Sequence, residues 1–153
     1  MQEKIIATNE TIRDLVDNAI REYGPNCDLN FIDVSHVTDM SELFKGSNFN
    51  GDISQWDVSN VKKMTEMFRE SKFRGDISQW NVSKVTDMNG MFRGSQFAGD
   101  ISLWNVSQAT NLNYMFYNSG YSGDINPWAV PKMAYVYKMF ANCPLKRQLP
   151  EWY

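Results

Sequence analysis

The chain is poor in the residues that staple small domains or do chemistry. Cysteine occurs twice in 153 residues, as Cys27 and Cys143. They stand at opposite ends of the sequence, so no bridge between them is expected and two lone thiols fit a reducing compartment. Histidine occurs once, as His36. Neither sign of charge dominates: 15 Lys and Arg face 18 Asp and Glu, a net of −3. That balance gives no electrostatic footprint for nucleic acid or for an anionic membrane surface. No apolar run is long enough to span a bilayer, and the residues after Met1 lack the apolar stretch of a secretory signal. On this basis the location is open; the chain as it stands reads as cytoplasmic. The sequence contains no Gly-rich phosphate loop, C-x-x-C or H-E-x-x-H motif.

What is present is repetition. Five copies of a 24-residue unit run without insertion from Asp33 to Trp152, starting at Asp33, Asp57, Asn81, Asn105 and Ala129. A fixed period of this length marks units that must stack on one another to bury an apolar face. Eight columns are apolar in nearly every copy. One is Phe44, Phe68, Phe92, Phe116 and Phe140; another is Trp56, Trp80, Trp104, Trp128 and Trp152. A side chain recurring at the same phase in each unit reads as core rather than as a ligand ladder.

Before the array, Ile12, Leu15, Val16, Ala19, Ile20 and Tyr23 fall at helical spacing. This predicts a helix over about 10–23, capped by Asn9 and stopped at Gly24-Pro25. Residues 1–32 then form an N-terminal cap, this helix plus half a repeat, continuous in one domain with a repeat array over 33–153. Within each unit, Ile53-x-x-Trp56-x-Val58 predicts a short strand, and Val61, Met64, Met67 and Phe68 predict a helix. Gly51, Gly75, Gly99 and Gly123 predict the turns between units. The expected fold is an α/β solenoid, a right-handed coil of five strand–helix–turn units behind a helical cap.

The phrase Val-Thr-Asp-Met-x-x-Met-Phe-x-x-Ser-x-Phe-x-Gly-Asp-Ile-Ser-x-Trp-Asn/Asp-Val-Ser resembles the BspA-like leucine-rich-repeat family of bacterial surface proteins, whose repeat is also noted in mycoplasma proteins. The likeness covers Asp28 to about Trp128 well and Ala129–Trp152 loosely. It implies a leucine-rich-repeat solenoid that binds protein or matrix partners at the cell surface, with no catalysis. It carries over no individual site residue. The fifth unit drifts, with Pro131, Pro144, Arg147, Gln148 and Pro150 in place of repeat residues.

An enzyme needs convergent titratable groups, and none is expected here. His36 shares its column with Asn60, Lys84, Gln108 and Lys132, a solvent-facing slot. No catalytic residue and no cofactor is assigned. The candidate metal ligands are Asp52, Asp76, Asp100 and Asp124, one per unit. Stacked carboxylates could be bridged by calcium. The competing role is an Asx-turn within each unit, favoured because one Asp per turn supplies few ligands.

The function expected is non-catalytic binding of a protein partner, by a chain of bacterial or phage origin. The alternatives are an intracellular effector, immunity or inhibitor protein that masks a partner's surface, and a calcium-stabilised adhesin repeat. Three surfaces are candidates. One is the polar strip of Gln55, Asp57, Gln79, Asn81, Leu103 and Asn105. Another is the tyrosine group Tyr114, Tyr117, Tyr135 and Tyr137. A basic group of Lys62, Lys63, Arg69, Lys72, Arg74, Lys84 and Arg93 is a third. A homodimer through the C-terminal repeat is a further expectation; nucleic-acid binding and membrane insertion are not.

Overall fold

The computed structural model describes residues 3–153. Regular elements are sparse. Strand β1 (Ile5–Ile6) leads to helix α1 (Ile12–Tyr23), and strand β2 (Ile32–Asp33) pairs with β1 in parallel, Ile5 against Ile32. A short 3-10 turn, Pro144–Arg147, closes the list.

Helix α1 forms as its apolar spacing predicts. Ile12, Val16 and Ala19 are buried, and Gly24 ends the helix at φ 92°, with its N–H bonded to the Ile20 carbonyl. The cap differs from expectation. Thr11 is the N-cap residue, while Asn9 reaches across to the first repeat. Its amide donates to Thr38 Oγ1 at 2.9 Å and its Oδ1 accepts the Thr38 N–H at 2.9 Å.

The expected α/β solenoid of strand–helix–turn units is not formed. The repeat region contains no α-helix, and turns fill each unit. In the second unit the N–H groups of Met64, Glu66, Phe68 and Glu70 donate to carbonyls of the next unit, at Asp87, Asn89, Met91 and Arg93 (2.8–2.9 Å). The N–H groups between them, at Met67, Arg69 and Ser71, close turns onto Met64, Glu66 and Phe68. A helix would instead direct each N–H to the carbonyl four residues back. Two columns of left-handed residues break that pattern. One is Glu42, Glu66, Gly90, Tyr114 and Lys138; the other is Gly46, Glu70, Gly94, Asn118 and Asn142, with φ between 51° and 65°.

The expected strands are also replaced. Trp56 N–H bonds to the Ile53 carbonyl and Val61 N–H to the Val58 carbonyl, two further turns. Strand-type bridges between units are one residue wide, linking Asp39, Lys63, Asp87, Asn111 and Tyr135 in turn, in parallel. The leucine-rich-repeat reading of the strand and helix therefore falls with the helix itself.

The core is where the sequence placed it. Trp56, Trp80, Trp104 and Trp128 are 3–4 % exposed, and the five phenylalanines of the invariant column are at most 2 % exposed. Rings of the same column lie nearly parallel, Phe44 on Phe68 on Phe92 at 5.6 Å and Trp56 on Trp80 on Trp104 at 6.5 Å. One buried cluster runs from Ala7 and α1 to Cys143. The fifth unit departs from the columns: Met133 and Leu149 are exposed, and Val130, Val136, Leu145 and Trp152 are only partly buried. Prolines in place of repeat residues redirect this segment, and the 3-10 turn begins at one of them.

Candidate functional surface

The polar strip begins with backbone geometry. Asp57, Asn81 and Asn105 each accept, through Oδ1, the N–H of the serine two residues on, at 3.0 Å. These are Asx-turns, which the short side chain supports by mimicking a backbone turn. Aspartate and asparagine do the job equally, which is why the column mixes them. The three side chains are exposed, but one oxygen of each is committed to the turn. Gln55, Gln79 and Leu103 complete the strip on the outside, Leu103 standing 83 % exposed.

The metal candidates resolve in the same way. Asp52, Asp76, Asp100 and Asp124 accept the N–H groups of Ser54, Ser78, Ser102 and Asn126 at 2.8–2.9 Å. For Asp76 and Asp100 the serine two residues on donates twice, first from its side chain and then from its backbone. Both bonds hold the carboxyl below its ordinary range. For Asp52 the Ser54 backbone N–H leads, helped by the Ser54 hydroxyl and by Asn30. Hydrogen bonds thus answer the repulsion that a carboxylate column would otherwise suffer.

The tyrosine group is brought together in part. Tyr114 meets Tyr117 edge-on at 5.6 Å and Tyr137 edge-on at 5.5 Å. The Arg93 guanidinium lies 5.3 Å from the Tyr114 ring centre and 4.9 Å from that of Tyr117, and the Lys138 ammonium lies 5.4 Å from that of Tyr137. Both cations face ring π-clouds, an attractive arrangement. Tyr137 is 58 % and Tyr135 68 % exposed, whereas Tyr114 and Tyr117 are half-buried. Tyr135 shares the edge but makes no ring contact with the other three. The roles of Arg93 and Lys138 were missed in the sequence. The available signal was register: Arg93 is one period before Tyr117, and Lys138 one period after Tyr114.

Several members of the basic group have local partners. Arg69 pairs with Glu66 at 2.8 Å, and Glu66 also takes Lys45 at 3.0 Å. Burial alone would raise the Glu66 carboxyl, but Lys45 and Arg69 outweigh it and hold it low. Arg74 reaches Gln96 and Lys84 reaches Asn60. His36 is exposed, as its column predicts. Cys27 is half-buried and Cys143 buried; both are free thiols, and burial pushes both upward.

Residues 13–120 and, in a second overlapping match, 69–152 fit a family model described as a Mycoplasma protein of unknown function, DUF285. No curated protein and no solved structure matches the chain. No helix among the described residues is long and apolar enough to cross a membrane.

Proposed function

The chain belongs to this Mycoplasma family, DUF285, and from that premise we propose that it is a non-catalytic repeat module that binds a protein through its tyrosine surface. The observation that carries the reading is the contact of Tyr114 with Tyr117 and with Tyr137, flanked by Arg93 over Tyr114 and Tyr117 and by Lys138 over Tyr137. Tyrosine and arginine are the residues enriched at interface centres, where rigid rings give contact area at little entropic cost. Equivalent positions in earlier units hold Glu42, Glu66 and Gly90 in place of Tyr114, and Lys45, Arg69 and Arg93 in place of Tyr117. The aromatic surface is therefore a local departure from the repeat, not a product of it. The likeness of the repeat phrase to BspA-like surface proteins supports a protein or matrix component as partner.

The test compares capture by the unaltered chain with capture by a Tyr135→Ala/Tyr137→Ala variant. Both rings are exposed, so the fold should survive, as near-unchanged thermal unfolding would show. A protein retained by the first and lost by the second supports the reading; hot-spot truncations typically weaken binding by about 2 kcal/mol, roughly thirtyfold. A partner held equally by both chains would place the binding surface elsewhere.

A further inference from the structure

Each of the first four repeats closes on the next through four N–H groups spaced two residues apart. In the first, Met40, Glu42, Phe44 and Gly46 donate to the carbonyls of Lys63, Thr65, Met67 and Arg69. In the fourth, Leu112, Tyr114, Phe116 and Asn118 donate to Tyr135, Tyr137, Met139 and Ala141, at 2.8–3.1 Å. The matching N–H groups of the fifth unit belong to Val136, Lys138, Phe140 and Asn142. Among the described residues they have no acceptor. Lys138 and Asn142 keep the left-handed φ of their columns, 51° and 54°, so the donor geometry of the earlier units is retained.

The two ends of the array are not alike. At the first unit, α1 lies over the carbonyl edge: Arg13 donates to the carbonyls of Ser41 (3.1 Å) and Glu42 (3.4 Å), and Leu43 is 5 % exposed. A second copy could not seat its first unit on the fifth without displacing that helix. Two fifth units facing each other would oppose donors to donors. At the far end Tyr153 packs edge-on against Phe140 at 5.1 Å, which covers the ring column, while the Phe140 N–H has no acceptor. Met133, Tyr135 and Tyr137 flank those amides in the open. The fifth unit also carries Lys132, Lys138, Lys146 and Arg147 against Glu151 alone.

We propose that the edge at Val136, Lys138, Phe140 and Asn142 captures a peptide segment of another protein by continuing the hydrogen-bond ladder of the repeats. The segment runs parallel to the fifth unit, offers carbonyl oxygens at every second residue, and is acidic. The four internal junctions show the required backbone form, and edge addition of this kind takes its affinity from main-chain bonds. The basic balance of the unit selects the charge. This surface goes beyond the tyrosine reading, since its donors are backbone groups that a side-chain change does not remove.

The probe is a synthetic peptide of residues 33–56, which carries the repeat phrase and holds Asp33, Asp39, Glu42 and Asp52 against Lys45. Amide hydrogen exchange of the 153-residue chain, resolved by residue, is the readout. Alone, the four amides should exchange fast while Leu112, Tyr114, Phe116 and Asn118 are protected. Excess peptide should abolish fast exchange at all four, and should do the same in the Tyr135→Ala/Tyr137→Ala chain. A peptide of the same composition in scrambled order should leave it intact. Binding without protection at these amides, or no binding, overturns the proposal. So does protection without peptide: if it grows with protein concentration a second copy holds the edge, and if it persists at every dilution the edge is already closed.

Discussion

The indole Nε1 of Trp80 donates a hydrogen bond to the backbone carbonyl of Ile53, 27 residues earlier, at 3.1 Å. The same bond recurs from Trp56 to Leu29, Trp104 to Ile77, Trp128 to Ile101 and Trp152 to Ile125. Each indole therefore does two things. Its ring stacks on the indoles of adjacent units, and its N–H gives the carbonyl a second donor beside the backbone N–H three residues on.

Trp80→Phe separates the two roles. Phenylalanine keeps a ring in the stack but removes the second donor of the Ile53 carbonyl, which retains the Trp56 N–H, at a cost of about 0.5–1.5 kcal/mol. Trp80→Ala also opens a cavity between Trp56 and Trp104 and should cost about 3–5 kcal/mol. Chemical unfolding of the two variants measures the difference. An unchanged stability in Trp80→Phe would mean that the indole N–H contributes nothing; equal losses in the two variants would mean that the ring contributes nothing beyond it.

The left-handed columns give a test of opposite sign. Glu70 holds φ 54° with an exposed side chain, while Gly94, one unit on, holds φ 64°. A non-glycine residue in this region carries about 1–2 kcal/mol of strain, and glycine loses about 0.5–1 kcal/mol more chain entropy on folding. Glu70→Gly should therefore stabilise by a few tenths to about 1 kcal/mol, and Gly94→Ala should destabilise by about as much. Thermal unfolding of the pair decides it; destabilisation by Glu70→Gly would show that its side-chain contacts outweigh the strain.

Those same columns explain what the sequence hid. The burial of Trp80 and Phe68 was legible because an aromatic recurring every 24 residues has to pack against its own kind. The local backbone was not. Val61, Met64, Met67 and Phe68 have helical spacing, and Glu66 and Glu70 are good helix formers, so the second unit alone argues for a helix. The contrary signal lay down the columns, in Gly46, Gly90 and Gly94 and in Asn118 and Asn142, the residue types that tolerate φ above zero. The tyrosine surface was half legible: the rings stood out, but Arg93 and Lys138 needed the register between units.

Acid should weaken the fold through the Asx-turns. Asp33, Asp52, Asp57, Asp76 and Asp100 are all held below the usual carboxylate range by hydrogen bonds to the charged form. A depressed folded-state value means the contribution is present above the unfolded value, about pH 4, and is lost as pH falls through the folded values. Melting temperature should therefore drop progressively below about pH 4, and an Asp52→Asn/Asp76→Asn variant should flatten that drop, because asparagine keeps the turn bond without titrating. Calcium and chelator should leave the melting temperature of the unaltered chain where it is; an increase with calcium would return the aspartate column to metal binding.

Gly75, Gly99 and Gly123 are fixed by rings rather than by backbone angle, whereas at Gly51 the Cys27 carbonyl stands closer than the Phe49 ring. A Cβ built on Gly75 would lie 2.6 Å from two ring carbons of Phe73, two residues earlier in the same unit. That ring has nowhere to go, because it stacks between Phe49 at 6.0 Å and Phe97 at 6.3 Å. Cys27 occupies the same slot ahead of the first unit, where the residue two before it is Pro25 and no ring intrudes. Gly75→Ala should therefore cost about 1–3 kcal/mol as an overpacking change. Combined with Phe73→Leu, a smaller and more pliable side chain, it should cost less than the sum of the two single changes. A double-mutant cycle by chemical unfolding measures the coupling, and strict additivity would mean that the glycine is required by something other than the ring beside it.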